Sequence, residues 1–467
     1  MSHDDLVTSI PANILNTQSI DFHTKDTKKV RSYSGYAHLD STENPGTQNH
    51  LFYWFFESQT CNPHVAVADQ QELISGTPLL IWLNGGPGAS SLLGLFLENG
   101  PLSIGDDAAG TVSVTSNTWN QEAHVVYWDQ PLGTGYSCSD AGELVKDEKA
   151  LARMFWEALQ KFFDKHPEYA RCPLYVCGES YAGKYVPAIA LEIDERNRLH
   201  EGQHLDLRGI SVGNGWIKPE LSLRVLIDYA YTTGFLGIGQ KESLYEDYAV
   251  FQAALAERRM KRATRLGNDL VARVLACGGN FDLYDVRRWD DLPMGALRAY
   301  LDGEAVKQAL HVPTDVPWQC ADNAGPVAEA LVKDNMADAS GLYAEIVDKG
   351  YKTLLYTGNF DTACGYQSTE EILDDLMRRK GAQEHAEWRH APRLIWTRAQ
   401  GNPKGFVRRH GRLTQVSVPD SGHQVPAFQP QVCREMLYNW LFDRPFPGYD
   451  PQQQLKPADG AAGSRKS

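Results

Sequence analysis

Residues 178–183 read Gly-Glu-Ser-Tyr-Ala-Gly and directly follow the apolar run Leu174–Cys177. A short strand that ends in a tight turn before a helix exposes one side chain at the top of a sheet, within reach of a substrate carbonyl. Here that side chain is Ser180, and residues 184–198 carry apolar positions at helical spacing. Ala182 replaces the second glycine of the usual Gly-x-Ser-x-Gly spacing. The stretch predicts a nucleophilic serine, although a lone serine of this kind is also common in ordinary turns.

An acid and a histidine follow, each just after a predicted strand. The buried run Lys352–Thr357 leads to Asp361, and the shorter run Val416–Val418 leads to His423. Taken singly, the aspartate could cap a turn and the histidine could lie on a surface loop. The order serine, acid, histidine is that of α/β hydrolases, and all three residues lie at strand ends. We therefore expect them to form a catalytic triad with Ser180.

These residue types suit acyl transfer. A serine hydroxyl is a poor nucleophile at neutral pH, so His423 would take its proton during attack and return it to the leaving group. Asp361 would hold the imidazole tautomer and stabilise the imidazolium. Backbone N–H groups would stabilise the oxyanion, one from Tyr181 and a second from a glycine-rich loop nearer the start of the chain.

Such a loop follows another buried strand. The run Leu79–Leu83 leads into residues 84–91, Asn-Gly-Gly-Pro-Gly-Ala-Ser-Ser. Three glycines and a proline within five residues make a rigid loop whose backbone a substrate can approach closely. A phosphate-binding loop is the competing interpretation, but the Lys-Ser/Thr ending of a P-loop and the glycine spacing of a dinucleotide site are both missing.

Blocks of sequence in this order make the chain resemble the serine carboxypeptidases, a family of acid exopeptidases with an α/β-hydrolase fold. The blocks are LFYWFFES (51–58), WLNGGPGASS (82–91), ENGP (98–101), WDQPLGTGYS (128–137), GESYAGKYVP (178–187), GNG (213–215), GNFDTACG (358–365) and SGHQVP (421–426). The resemblance implies an α/β fold with a mixed, mostly parallel central sheet, flanking helices and an inserted helical cap.

The resemblance also implies roles for single residues. It assigns the triad to Ser180, Asp361 and His423, the oxyanion-hole amides to Gly86 and Tyr181, the group that binds the substrate's C-terminal carboxylate to Asn84, Glu98 and Glu179, and the substrate pocket to Leu93, Leu97, Cys364 and Gln424. The two leucines predict a preference for apolar over basic C-terminal residues, and Gln424 replaces a methionine common in the family. We expect no cofactor, because triad chemistry needs no metal and no metal-ligand spacing stands out.

The two glutamates predict a pH dependence. Two neighbouring carboxyls do not both ionise cheaply, so Glu98 and Glu179 should hold a proton between them. A protonated pair can donate to a substrate carboxylate, whereas an ionised pair repels it. We expect peptide cleavage to be favoured in acid, and ester cleavage to persist to higher pH.

The cysteines depart from the family pattern. Family members usually have a cysteine at the position of Ala89, bonded to the one that aligns with Cys320, so Cys320 lacks that partner. A bond between Cys277 and Cys320 stays open, because distance cannot be read from sequence. Cys364 matches a free cysteine near the family's active site, which predicts inhibition by thiol reagents, although a buried small hydrophobe is an equally good interpretation.

Composition bears on compartment and partners. Residues 1–30 show no apolar signal-peptide core, and no Asn-x-Ser/Thr sequon occurs. We expect a cytoplasmic or otherwise non-secreted enzyme, although the family is mostly vacuolar, lysosomal or secreted. The formal charge of −14 argues against nucleic acid and anionic membranes as partners. The expected partner is a peptide or small acyl substrate, and the oligomeric state stays open between monomer and homodimer.

Strand and helix patterns divide the chain into five parts. They are an N-terminal segment (1–31), a first part of the α/β-hydrolase core (32–215), a helical cap insertion (216–349), a second part of the core (350–449) and a disordered tail (450–467). Within the insertion we expect helices over residues 241–265, 268–276 and 303–310. A cap of this kind usually shapes the substrate pocket and excludes water.

Three functions from different classes fit these observations to different degrees. A serine carboxypeptidase that releases C-terminal residues is favoured, because the whole carboxylate-binding group is present. The alternative is an acyltransferase, or a hydrolase of a small-molecule ester or amide in a biosynthetic pathway; such relatives often carry Asp at the position of Glu179. A catalytically dead binding protein is disfavoured by the intact triad.

Overall fold

A computed structural model describes residues 4–15, 18–22, 30–61, 70–107, 109–289, 294–397 and 402–454. The strands are β1 Ser9–Pro11, β2 Ser19–Asp21, β3 Ser32–Asp40, β4 Gln48–Phe56, β5 Leu79–Leu83, β6 Leu102–Ile104, β7 Val112–Val114, β8 His124–Trp128, β9 Cys138–Ser139, β10 Leu174–Glu179, β11 Leu207–Gly213, β12 Lys352–Gly358, β13 Arg393–Thr397, β14 Pro403–His410, β15 Leu413–Val418 and β16 Gly448–Tyr449.

The helices lie mostly between these strands. They are α1 Gln70–Gly76, α2 Leu92–Leu97, α3 Glu148–Lys165, α4 Ala182–Leu199, α5 Pro219–Thr232, α6 Ile238–Ala256, α7 Met260–Cys277, α8 Met294–Leu301, α9 Glu304–Ala309, α10 Gly325–Ala330, α11 Ser340–Asp348, α12 Tyr366–Lys380, α13 Ala382–His390, α14 Val425–Phe428, α15 Pro430–Leu441 and α16 Pro451–Gln454.

One large mixed sheet carries the fold. Its order is β16-β13-β14-β15-β12-β11-β10-β5-β8-β4-β3, with β9 also paired to β4. The six strands from β15 to β8 are parallel to one another, and the strands at both edges are antiparallel. The predicted α/β-hydrolase class, with a mostly parallel sheet, is therefore confirmed.

Apolar residues on both faces explain why the parallel strands lie at the centre. Every residue of β5 is buried. Leu79, Ile81 and Leu83 pack into a cluster with α3 and α4, whereas Leu80 and Trp82 pack into a second cluster on the opposite face. Successive side chains of a strand point to opposite faces, so a continuous apolar run is what a doubly covered strand requires.

The predicted site residues lie together beyond the carboxyl ends of the parallel strands. β5 ends just before Asn84, β10 just before Ser180, and β12 three residues before Asp361. His423 follows the end of β15, which pairs with β12. Loops that are far apart in the chain therefore meet at the carboxyl ends of these strands.

The segment between β11 and β12, residues 214–351, is called the inserted segment here. It contains α5–α11, and several of its helices pack into a third apolar cluster. The break between the two long helices differs from the sequence-based expectation: α6 ends at Ala256 and α7 runs from Met260 to Cys277 without interruption. Arg258 takes a left-handed φ of 56° in the link, so the chain turns there. The domain boundaries stay a prediction.

All eight cysteines are free in the structure, so Cys277 and Cys320 do not pair. The Sγ of Cys320 instead accepts a hydrogen bond from the backbone N–H of Ser90 at 3.4 Å. No helix in the described part of the chain is long and apolar enough to span a membrane. Of the predicted disordered tail, Pro451–Gln454 form a short helix, and residues 455–467 lie outside the described residues.

Candidate active site

The turn around Ser180 has the strain expected of a nucleophile elbow. Ser180 takes φ 63°, a left-handed conformation that non-glycine residues rarely adopt. Its N–H donates to the carbonyl of Gly213 at 3.1 Å, and its carbonyl accepts from Trp216 N–H at 2.8 Å. A Cβ on Gly178 would lie 2.7 Å from the Cβ of Ala182, so the strand needs glycine where the helix crosses it. The turn is held on one side by the end of β11 and on the other by the start of the chain segment that follows it.

His423 and Asp361 form a buried pair. The Nδ1 of His423 lies 2.8 Å from Oδ2 of Asp361. Oδ2 also accepts from Asn214 Nδ2 at 2.6 Å and from the N–H of Cys364 at 3.1 Å. The Oδ1 atom accepts from the N–H of Ala363 at 2.9 Å. These donors satisfy the carboxylate and fix it against the imidazole.

The charge of Asp361 governs the imidazole. Burial is the largest single influence and lowers the pKa of His423, but the charge and hydrogen bond of Asp361, together with the charges of Asp322 and Glu98, outweigh it, so the pKa lies above its usual value. The second ring nitrogen, Nε2, is buried and has no hydrogen-bond partner among the residues described. His423 and Ser180 line the same cavity. The ring is thus oriented by one nitrogen and left with the other for proton transfer.

The glycine-rich loop lies against the elbow. A Cβ on Gly85 would lie 2.3 Å from the backbone nitrogen of Tyr181, so only glycine allows this approach. Gly86 takes φ 98°. The backbone N–H groups of Gly86 and Tyr181 donate to no acceptor in the described residues. Two free amides beside the nucleophile suit the stabilisation of an oxyanion.

The predicted carboxylate-binding residues lie together. Trp82 Nε1 and the N–H of Gly94 donate to Oδ1 of Asn84 at 2.7 and 3.1 Å. This fixes the amide, whose Nδ2 donates to Oε1 of Glu98 at 3.0 Å. Glu98 and Glu179 are 9% and 1% exposed, and their carboxyls are in hydrogen-bonding contact. Asn84 and Glu179 line the cavity, with Glu98 behind them.

Burial makes this acid pair hold a proton. Desolvation raises the pKa of Glu98, although its contacts with Glu179 and Asn84 oppose the rise. Desolvation and the charge of Glu98 together raise the pKa of Glu179 well above its usual range. Both carboxyls cannot ionise at low cost in this position. The pair therefore keeps an O–H donor at pH values at which an ordinary exposed carboxyl would already be ionised.

Two cavities meet at the nucleophile. The cavity that contains Asn84 and Glu179 has a volume of about 470 Å³ and is called the leaving-side cavity. The other, of about 390 Å³, is the acyl-side cavity; most of its lining side chains are apolar and come from the inserted segment. Both cavities share Gly86, Ser180, Tyr284 and Asp322. These residues mark the place where a scissile bond would lie.

The predicted pocket residues divide between the cavities. Leu93 and Gln424 line the leaving-side cavity, and Cys364 lines the acyl-side cavity. Leu97 lines neither; it is half-buried against the second apolar cluster, because it lies one helical turn beyond Leu93 at the end of α2. Four charged residues of the leaving-side cavity were not predicted: Asp282, Arg288, Arg298 and Asp322.

Tyr284 joins several parts of the site and was also missed. Its ring centroid lies 4.8 Å from that of His423, and its hydroxyl donates to Asp322. Its carbonyl accepts the N–H of His423 at 2.7 Å. The neighbouring carbonyl of Leu283 accepts the hydroxyl of Thr362 at 2.7 Å. The inserted segment thus connects the loop that carries Asp361 with the loop that carries His423. Tyr284 itself lies outside the matched sequence blocks, so no direct signal in the sequence pointed to this role.

Two groups of side chains have the donor atoms for a cation. Asp361, Cys364 and His423 lie within 4.8 Å of one another through their ligand atoms. Desolvation raises the pKa of Cys364 well above its usual value, which disfavours the thiolate that a metal needs. The second group consists of Glu384 and Glu387 on α13 and His410 at the end of β14, and it is partly exposed. In the first group, Nδ1 of His423 and Oδ2 of Asp361 already bond to each other, so these two atoms are not free to bind a cation.

Comparisons with known proteins agree with this geometry. The family model for serine carboxypeptidases matches residues 23–443. Serine carboxypeptidase-like 48 of Arabidopsis thaliana is 30% identical over 404 residues, which cover 84% of this chain and 75% of the relative. A probable serine carboxypeptidase, CPVL, of Dictyostelium discoideum is 30% identical over 440 residues, 92% of this chain and 82% of the relative.

A solved structure shows the same fold. Kex1(delta)p, a prohormone-processing carboxypeptidase from Saccharomyces cerevisiae, superposes with a TM-score of 0.76 at 22% identity, over 90% of this chain and 93% of that one. The match of the family model to most of the chain, together with these relatives, shows that this protein belongs to the serine carboxypeptidase family.

Proposed function

We propose that this protein is a serine carboxypeptidase that hydrolyses the C-terminal peptide bond of peptides through an acyl-enzyme. One observation carries the proposal: a single cavity is lined by Ser180, by His423 and by Asn84 and Glu179. A nucleophile and its base would act on the scissile carbonyl, while the buried amide and acid would bind the free carboxylate one residue away. This arrangement selects the last peptide bond of a chain.

The chemistry follows from the positions of these groups. The Oγ of Ser180 attacks the carbonyl carbon while its proton passes to Nε2 of His423, and the N–H groups of Gly86 and Tyr181 stabilise the oxyanion. The imidazolium then protonates the departing nitrogen, the C–N bond breaks, and the C-terminal amino acid leaves. Water, deprotonated by the neutral imidazole, attacks the ester carbonyl; the bond between the carbonyl carbon and Oγ then breaks, and the imidazolium returns its proton to Oγ, which releases the shortened peptide and free Ser180.

The acid pair sets the substrate class. The Oε2 atoms of Glu98 and Glu179 are buried without a partner among the residues that the structure describes. A proton on the pair can be donated to the substrate carboxylate through Glu179, and the fixed amide of Asn84 supports it. Peptides with a free C-terminus are therefore favoured over amides and esters, most strongly in acid, where the pair is protonated.

An acyltransferase would use the same acyl-enzyme but would pass the acyl group to an alcohol or amine instead of water. Retention of Glu179 against the carboxylate-binding amide argues against this alternative, because a transfer reaction has no use for a free carboxylate at that position. Hydrolysis is therefore the reaction that the site supports best.

The test compares N-blocked dipeptides with their C-terminally amidated and esterified forms, at about pH 5 and about pH 7.5. Faster release from the free acids at the lower pH, lost in Ser180→Ala, is the expected result. Activity on esters or acyl conjugates alone, with none on free-acid dipeptides, would overturn the proposal in favour of the transferase or small-molecule hydrolase.

A further inference from the structure

A buried lysine lies directly behind the nucleophile elbow. Lys184 is in the first turn of α4, four residues after Ser180, and is 1% exposed. Its Nζ donates to the carbonyl of Asp334 and, at 3.0 Å, to the carbonyl of Asn335. It also lies 3.5 Å from Oδ2 of Asp334. A buried ammonium is stable only when paired and hydrogen-bonded, and this one takes all its partners from one short stretch of the inserted segment.

Two carboxyls surround this lysine. Oδ2 of Asp334 accepts the hydroxyl of Tyr181 at 3.0 Å. Both carboxyl oxygens of Glu148, at the start of α3, are buried and lie against Asp334. Desolvation and the charge of Asp334 raise the pKa of Glu148 well above its usual range, which favours the neutral form of that carboxyl. Desolvation lowers the pKa of Lys184, and the neighbouring Asp334 and Glu148 oppose that fall.

The residues held by Lys184 form a wall of the acyl-side cavity. Asn335 and Met336 line that cavity. The carbonyl of Asn335 also accepts from Trp216 Nε1 at 3.0 Å, and its Nδ2 donates to Oδ1 of Asn323 at 2.7 Å. Trp216 and Asn323 are lining residues as well. A whole side of the cavity is therefore positioned through residues 334–336.

The other end of the cluster reaches the oxyanion donor. Tyr181 carries one of the two backbone N–H groups proposed to stabilise the oxyanion, and its hydroxyl donates to Asp334. The ring of Tyr181 lies 5.3 Å from Nζ of Lys184. The elbow and the cavity wall therefore share one anchor, and a shift of either changes where the acyl side chain lies relative to the oxyanion donor.

We propose that Lys184 is a positioning residue that holds the wall at residues 334–336 against the nucleophile elbow, and thereby sets a preference for large apolar residues on the acyl side of the scissile bond. The proposal rests on the proposed carboxypeptidase activity. Without the ammonium, the carbonyls of Asp334 and Asn335 and the half-buried carboxylate of Asp334 each lose one donor. The wall then moves, and a side chain that fills the cavity loses its contacts, whereas glycine has none to lose.

The test uses two N-blocked dipeptides with the same C-terminal leucine, one with phenylalanine and one with glycine on the acyl side. The ratio of their kcat/KM values measures acyl-side selectivity. In Lys184→Met we expect the ratio to fall by about tenfold or more, the scale that small misplacements of bound groups reach. We expect most of the loss for the phenylalanine substrate to be in KM, with partial recovery in Lys184→Arg.

Lys352→Met is the matched control. Lys352 is 8% exposed at the opposite end of the sheet, where its Nζ donates to the carbonyl of Leu441 at 3.2 Å and pairs with Asp443 at 2.8 Å. The variant Lys352→Met should lower the melting temperature but leave the ratio of kcat/KM for the two dipeptides as in the wild type. An unchanged ratio in Lys184→Met, or an equal change in Lys352→Met, would overturn the proposal.

Asp334→Asn covers the case in which Lys184→Met does not fold. It keeps the shape and the backbone acceptors but removes the charge opposite the ammonium, so a smaller fall in the same ratio is expected, and no fall would again overturn the proposal. A wild-type enzyme that cleaves neither dipeptide would count against the proposed function itself. A wild type that cleaves both, with variants that keep its ratio, would count only against the role of Lys184.

Discussion

Tyr284 donates its hydroxyl to Asp322 where the two cavities meet, with its ring 4.8 Å from the imidazole of His423. Desolvation raises the pKa of Asp322, and the bond from Tyr284 opposes that rise. Asp322 in turn helps to raise the pKa of His423, on top of the larger effect of Asp361. Glu98 adds to this effect, so three acidic side chains raise the pKa of the histidine, of which only Asp361 was predicted to belong to the triad.

Asp322→Asn should shift the acid side of the activity profile. Removing this carboxylate lowers the pKa of His423, so the neutral base that attack requires persists to lower pH. We expect the acid limb of kcat/KM for an ester substrate to move to lower pH, since an ester avoids titration of the acid pair. Glu384→Gln, far along the chain on α13, is the control, and a limb that moves equally in both would contradict the assignment.

The acid pair predicts a second, opposite pH effect on peptides. Because the pKa of Glu179 is raised, the proton donated to the substrate carboxylate is present below that pKa and lost as pH rises through it. In Glu179→Gln an amide donor that does not titrate replaces it. Peptide cleavage by Glu179→Gln should be weaker in acid than that of the wild type but should fall less towards neutral pH. The measurement is the ratio of kcat/KM for the free-acid dipeptide to kcat/KM for its ester, taken across pH. A ratio with the same pH dependence as the wild type would remove Glu179 from carboxylate binding.

The leaving-side cavity predicts selectivity at the C-terminal residue. Leu93 and Met294 supply apolar wall, and the positive charges of Arg288 and Arg298 balance the negative charges of Asp282 and Asp322. An apolar wall without excess negative charge favours apolar over basic side chains, so we expect leucine and phenylalanine to be released faster. Arg288→Gln should narrow the difference by reducing like-charge repulsion, as measured by kcat/KM for dipeptides that differ only in the last residue. Faster release of basic residues by the wild type would refute this.

Thiol reagents should act through the acyl-side cavity. Cys364 is buried but lines that cavity, whereas Cys320 lines the leaving-side cavity. A small mercurial is expected to inhibit peptide cleavage, and Cys364→Ala should remove most of the inhibition. Cys320→Ala provides the comparison at the other cavity. Full activity after stoichiometric modification of Cys364 would show that the thiol does not reach the substrate.

Most of the candidate site could be predicted from the sequence, because each buried strand is visible as an apolar run and the site residues follow directly after these runs. The apolar runs before Asn84, Ser180 and Asp361 placed these residues at one sheet edge, and the structure brings their elements together there. Asn214 lay inside a matched block, yet its bond to Asp361 could not be read, since a hydrogen bond between distant loops leaves no local pattern.

The inserted segment was harder to read for a physical reason. Its helices are short or amphipathic and pack on one another, so apolar spacing predicts helices there but not which side chains turn towards Ser180. Lys184 looked like an ordinary helix residue, because its burial depends on Asp334 in that segment. Leu97, which the resemblance assigned to the substrate pocket, is half-buried against the second apolar cluster, so its role in the pocket stays a prediction.

The carbonyls of Leu283 and Tyr284, which hold the aspartate and histidine loops, bear on how the enzyme loses activity on heating. The nucleophile lies on the central sheet, but the acid and base loops are fastened through carbonyls of a segment outside it. Local opening of the stretch 278–289, which contains no helix, would release His423 while β10 and α4 stay folded. On heating, catalysis should therefore be lost reversibly before far-ultraviolet circular dichroism reports any melting, and a bound C-terminal product should narrow the gap.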